Sequence, residues 1–139
     1  MSSAFAVAPS KAADSAVMNG GGPQPDGVVW HNNLESGWAE SKRRNVPMVI
    51  FVSSERCQYC EAMKRTTWCD GAISKRLRDF VAIRLNPKDN AETLGRIHVP
   101  MYPTTMIGAP EGRILEHRTG YQPSGAIHSL LSRSWSLRR

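Results

Sequence analysis

The chain has 139 residues, 40% of them hydrophobic and 22% charged, and its 18 basic and 12 acidic residues leave a net charge of +6. That is the size of one ordinary domain, long enough to bury a core without disulfide or metal staples. No apolar run approaches the roughly 20 residues that span a bilayer, and the basic residues (Lys42, Arg43 and Arg44; Lys75, Arg76 and Arg78; Arg138 and Arg139) form no stripe interleaved with aromatics, which argues against a nucleic-acid partner.

Residues 1–27, MSSAFAVAPSKAADSAVMNGGGPQPDG, are rich in Ala, Ser, Gly and Pro. They read as a disordered lead-in or linker ahead of a folded domain over 28–139. They do not read as a secretory signal, because there is no basic start and the small apolar run at 4–8 is too short for a signal core.

Val28, Val29 and Trp30 predict a short first strand. A helix should follow, capped by Asn32 or Asn33, with Leu34 and Trp38 on one face. Glu35 lies in its first turn and Lys42, Arg43 and Arg44 near its end, matching the helix dipole, and Pro47 should stop it. PMVIFV, residues 47–52, is continuously apolar and rich in Val and Ile, as expected of a central strand buried on both faces. A helix is predicted from around residues 54–57 to about Thr67, and a short one from Gly71 to Arg78. FVAIRL (80–85) reads as a strand, AETLGRI (91–97) as a short helix or turn, and TTMIG (104–108) as a strand. APEGR (109–113) carries hairpin signals before ILEHR, which alternates inward and outward. Pro123 and Ser124 open a last helix with Ile127, Leu130 and Leu131 on one face. The order β-α-β-α-β-α-β-β-α predicts an α/β fold: a mixed central sheet flanked by helices on both faces.

Two cysteines, Cys57 and Cys60, are separated by Gln58 and Tyr59; Cys69 is the third. An odd, small number argues against a disulfide-stapled scaffold. A Cys-x-x-Cys can be half of a zinc site, but such a site needs two more ligands. No second pair exists, and no spacing supports Cys69 with His31, His98, His117 or His128. An inert structural pair is the other bland alternative. With Cys57 in the first turn of the helix after a buried strand, the chemistry sharpens. Residues three apart share a helix face and lie close enough for a disulfide. Unpaired N–H groups and the helix dipole stabilise a thiolate there, lowering its pKa below the free value of about 8.5. Cys57 is then the attacking thiol and Cys60, one turn in, the resolving one. Cys69 is expected to be a small, half-buried filler.

At this point the chain resembles the thioredoxin superfamily over most of residues 28–133. The strand leading into CQYC, the strand VAIRLN (81–86) and the loop VPMYPTT (99–105) carry the resemblance. Trp38 followed by Arg44-Asn45-Val46-Pro47, and Cys60-x-x-Met63 followed by Thr67-Trp68-x-Asp70, are similar to the exported bacterial thiol:disulfide interchange, or isomerase-like, branch. The resemblance implies a thioredoxin fold with a cis Tyr102–Pro103 bond set against the cysteine pair, Tyr102 and Pro103 binding an extended substrate peptide by β-addition. It implies a thiol–disulfide oxidoreductase acting on protein substrates with thiols or disulfides, served by a redox-recycling partner, as a monomer in a periplasmic or otherwise exported setting. No organic cofactor and no metal is called for, because the two sulfurs carry both electrons.

The pattern also departs from the family. Gln-Tyr replaces the Gly-Pro of ordinary thioredoxins. The family's buried acid, six residues before the first cysteine, falls on Phe51. Glu55 is a candidate substitute acting through water, against an ordinary role as a surface-loop acid. Arg84 aligns with the family's lysine on the third strand and would favour the thiolate if it points at Cys60; a solvated strand-end arginine is the alternative. The missing acid motivates a second functional expectation, a non-catalytic binding module using the groove around Tyr102 and Pro103.

Overall fold

The structure is a computed structural model and describes residues 28–136. The expected lead-in over 1–27 lies outside the described residues, as do 137–139. Ten elements follow in order: β1 (Trp30–His31), α1 (Leu34–Arg44), β2 (Met48–Val52), α2 (Gln58–Arg65), α3 (Gly71–Leu77), β3 (Val81–Leu85), α4 (Ala91–Arg96), β4 (Thr104–Gly108), β5 (Ile114–Thr119) and α5 (Ser124–Ser136). The expected order counted the helix ending near Thr67 and the short helix from Gly71 as one, though both were expected as segments. Asp70 accounts for the difference: its carboxylate accepts from the backbone N–H of Ala72 and Ile73 and caps α3 as a helix distinct from α2.

The strands form one five-stranded sheet in the order β1-β3-β2-β4-β5. β1 and β2 run parallel to β3, and β4 runs antiparallel to both β2 and β5. β2 is therefore central, and all five of its residues are buried. Its alternation splits the core in two. Val49 and Phe51 join Met63 of α2, Ile73 and Leu77 of α3, and Ile127, Leu130 and Leu131 of α5 on one face. Met48, Ile50 and Val52 meet Leu34 and Trp38 of α1 and Leu94 of α4 on the other. Each such buried side chain contributes roughly 1.5–3 kcal/mol, so the strand leading into the cysteine pair is firmly held.

Helix α1 starts and ends by local chemistry. Asn33 is the N-cap, accepting from Ser36 N at 2.7 Å. The helix ends at Asn45, not at Pro47: Asn45 takes up the left-handed conformation (φ 56°, ψ 48°), which asparagine tolerates at a helix end. α1 lies close on the sheet because Gly37 is its contact with β3. A Cβ at Gly37 would collide with the side chain of Ile83, which is fully buried. Replacing Gly37 by Ala should therefore destabilise the fold, the overpacking cost of about 1–3 kcal/mol exceeding the roughly 1 kcal/mol gained in helix propensity. A lowered urea midpoint with unchanged slope is the expected readout; an unchanged or raised midpoint would contradict this packing.

Candidate redox site at the start of α2

β2 passes into the site through Ser53, whose N–H donates to Leu85 O at 3.0 Å and extends the ladder by one residue. The chain then reverses over residues 54–57. Arg56 makes that reversal in the left-handed region (φ 56°). A non-glycine residue there costs about 1 kcal/mol, and such strain collects at functional sites. No signal in the sequence marks it, since glycine is the residue usually found there.

Cys57 follows with extended backbone (φ −108°, ψ 102°) and is the N-cap of α2 rather than a residue of its first turn. Its Sγ accepts from the N–H of Cys60 at 3.1 Å. The sulfur thus occupies the place that a serine or aspartate oxygen takes in an ordinary cap, facing the unpaired N–H groups and the positive end of the helix. Cys57 and Cys60 form a disulfide, with their Cα atoms 5.2 Å apart. Cys57 is partly exposed while Cys60 is fully buried. An incoming sulfur therefore reaches Cys57 first.

The register places the proline loop beside this turn. Val52, the last residue of β2, pairs with Thr104, the first of β4. What leaves β2 toward Cys57 and what enters β4 through Tyr102 and Pro103 share one end of the sheet. The Tyr102–Pro103 peptide bond is cis. Pro103 is buried, its carbonyl accepts from Gly120 N at 2.7 Å, and Thr104 Oγ1 donates to Met101 O at 2.6 Å. Tyr102 packs against the core on the α1–α4 side. Tyr59 and Met101, 57% and 50% exposed, add apolar surface on the two segments that meet here.

The charged candidates lie apart from each other. Arg84 is half-buried and its Nε donates to Asn32 Oδ1 at 3.0 Å. Burial lowers its pKa. It lines a crevice of about 400 Å³ with Asn32, Ser53, Lys64, Leu85, Asn86 and Asp89. Glu55 is exposed and lines a different crevice, with Ser54, Asn86, Pro87 and Lys88. Phe51, at the position where an acid was looked for, is buried and packs edge-on against Trp68 with centroids 5.4 Å apart. Cys69 corrects an expectation: it is exposed, not half-buried, and its thiol donates to Lys64 O at 2.9 Å. Trp68 supplies the reason, since it turns into the core against Trp30 and Phe51 and leaves its neighbour facing out. His98 is exposed. Among the described residues, no group of three or more His, Cys, Asp or Glu side chains is arranged to hold a metal ion.

One set of site contacts has no counterpart in the sequence reading. Thr66, Thr67 and Met63 of the α2 segment bond to Tyr121 and Gln122, which follow β5. The only local signal is the turn composition of TGYQPS, residues 119–124.

A family model described as thioredoxin-like matches residues 29–110, and the chain belongs to that family. Among curated proteins, anterior gradient protein 3 of Xenopus tropicalis is 28% identical over 106 residues, covering 70% of this chain and 65% of that protein. The chain thus spans just under two thirds of that relative's length. Among solved structures, a thioredoxin from Thermus thermophilus superposes with a TM-score of 0.68 at 18% identity, over 77% of this chain and 86% of that one. A thioredoxin-fold protein from Helicobacter pylori gives 0.59 at 16% identity, over 66% and 70%. Mitochondrial thioredoxin 3 of Saccharomyces cerevisiae gives 0.58 at 16% identity, over 78% and 93%. The fold is the thioredoxin fold. Together with the Cys57–Cys60 disulfide it supports thiol–disulfide redox chemistry in general terms.

The cap can be tested apart from any redox reaction. In the reduced state, Cys57→Ser keeps an acceptor for the Cys60 N–H and Cys57→Ala removes it, so the alanine variant should be less stable by about 1 kcal/mol. Chemical denaturation under reducing conditions measures the difference, and equal midpoints would show that the side chain at 57 caps nothing.

Proposed function

We propose that the protein is a thiol–disulfide oxidoreductase that exchanges disulfides with protein substrates through Cys57 and Cys60. The observation that carries this reading is the asymmetry of the pair: an accessible sulfur capping α2 and a buried one a turn behind it. In the reducing direction, the Cys57 thiolate attacks a substrate disulfide. A bond forms between Cys57 and one substrate sulfur, and the other substrate sulfur leaves as a thiolate. Cys60, once it has lost its proton, then attacks Cys57 Sγ, which breaks the mixed disulfide and releases the second substrate sulfur as a thiolate. The enzyme ends as the Cys57–Cys60 disulfide, with two electrons passed to the substrate. The oxidising direction is the same sequence reversed.

The proton of Cys60 must go somewhere, and Phe51 cannot take it. The substrate thiolate released in the first step is a base generated beside the pair, and it takes up that proton. Tyr102 and Pro103 are proposed to hold the substrate as an added strand at the open end of β4. Arg84 and Glu55 are proposed as electrostatic support. The partners are protein substrates bearing thiols or disulfides and a redox partner that recycles the pair, with the protein acting as a monomer. The similarity of residues 38–47 and 60–70 to the isomerase-like exported branch supports a periplasmic or otherwise exported setting. Among the described residues no helix is long and apolar enough to cross a membrane.

Phe51 also favours a second reading, in which the groove at Tyr102 and Pro103 binds a partner without chemistry. One experiment separates the two. Cys60→Ser removes the resolving thiol, so the reduced variant, challenged with a disulfide-containing protein substrate, should accumulate as a mixed disulfide at Cys57, detected as a mass adduct released by dithiothreitol. Absence of any adduct at Cys57, with substrate still bound, would favour the binding module.

A further inference from the structure

We propose that the loop 119–122 is a brace that fixes the cysteine helix against the proline loop, with Thr67 and Tyr121 as positioning residues for exchange with protein substrates; this rests on the reading just given. The loop touches both halves of the site. Toward the proline loop, Gly120 N donates to Pro103 O at 2.7 Å. Gly120 has φ +84°, a conformation glycine adopts at no steric cost. Toward the cysteine helix there are three bonds. Thr67 Oγ1 donates to Gln122 O at 2.6 Å, Gln122 N donates to Met63 Sδ at 3.5 Å, and Tyr121 Oη lies 3.0 Å from Thr66 Oγ1. The hydroxyl proton of Thr66 already goes to Ala62 O at 2.7 Å, so Tyr121 is the donor in the last of these. Gln122 Nε2 closes the loop on itself by donating to Thr119 O at 3.1 Å.

The brace holds α2 at the end opposite the sulfur. Thr67 lies ten residues beyond Cys57, roughly 15 Å along a helical path at 1.5 Å per residue. A tilt of about 5° at the braced end would therefore move the Cys57 sulfur by about 1 Å. A displacement of that size can cost up to about a hundredfold in a reaction that depends on alignment. A substrate strand lying on the Tyr102–Pro103 backbone requires that alignment. A small disulfide, which needs only an accessible sulfur, does not.

Thr67 is fully buried, and Thr67→Val exchanges its hydroxyl for a methyl of similar size. In the reduced full-length chain, Thr67→Val should slow reduction of insulin disulfides about tenfold. Reduction of oxidised glutathione, followed as formation of the Cys57–Cys60 disulfide, should stay within about twofold of the unaltered protein. Thr67→Ser, which retains the hydroxyl, should restore the insulin rate. Tyr121→Phe, at a position 38% exposed and so safe for folding, should show the same pattern at smaller size. Amide exchange provides a readout that needs no redox activity: the Gly120 N–H and the last turn of α2 should lose protection together in Thr67→Val. Equal slowing with both disulfides, or unchanged exchange at Gly120 and α2, would overturn the brace. A parent protein that reduces neither disulfide would instead overturn the redox reading, and exchange alone would then decide the brace.

Discussion

The N–H of Cys60 points at the sulfur of Cys57 across 3.1 Å, at the one place on α2 where the backbone has donors to spare. The chemistry of the site grows from that contact. A sulfur anion there meets partial positive charge supplied by the backbone, which cannot be titrated away. The disulfide geometry follows from the same turn, because the residue that caps a helix and the third residue after it are neighbours in space. The rest of the fold serves to aim this turn. β2 is buried on both faces and delivers it, the strained backbone at Arg56 sets its direction, and the register of Val52 with Thr104 brings the proline loop to the same end of the sheet.

Much of this was legible in the sequence. PMVIFV fitted a central strand, because five consecutive apolar residues with β-branched members leave no solvent face. The Asn32-Asn33 pair, the acidic first turn and the basic last turn marked α1 at both ends, and the structure selects Asn33 as the cap. The cysteine spacing gave the chemistry once a helix start was placed beside it. Alternation around Trp68 and Cys69 was harder to read: both residues suit an interior, and only the aromatic cluster with Trp30 and Phe51 decides which of them enters it. The helix stop at Asn45 was masked by the stronger signal of Pro47. The links between α2 and the segment after β5 join residues 55 and 59 apart in the chain. No local pattern encodes such contacts, because hydroxyls of paired threonines at a helix end read as ordinary surface or capping groups.

The departures from the family pattern bear on how the proposed resolving step would work. Where a buried acid would have accepted the proton of the second cysteine, Phe51 instead completes the core against Trp68. That substitution exchanges a titrating group for packing. Under the proposed function, the substrate's own released thiolate then serves as the base. Arg84 keeps a half-buried positive charge on the neighbouring strand, its Nε donating to Asn32 Oδ1.

The most direct measurement is the pH dependence of alkylation in the fully reduced protein, with Cys57 and Cys69 resolved by mass in the same sample. Cys57 is expected to react through a midpoint below the free-thiol value of about 8.5, and faster than the exposed Cys69 at neutral pH. A Cys57 that titrates like a free thiol and reacts no faster than Cys69 would contradict the account, since the helix start would then be doing nothing for the sulfur.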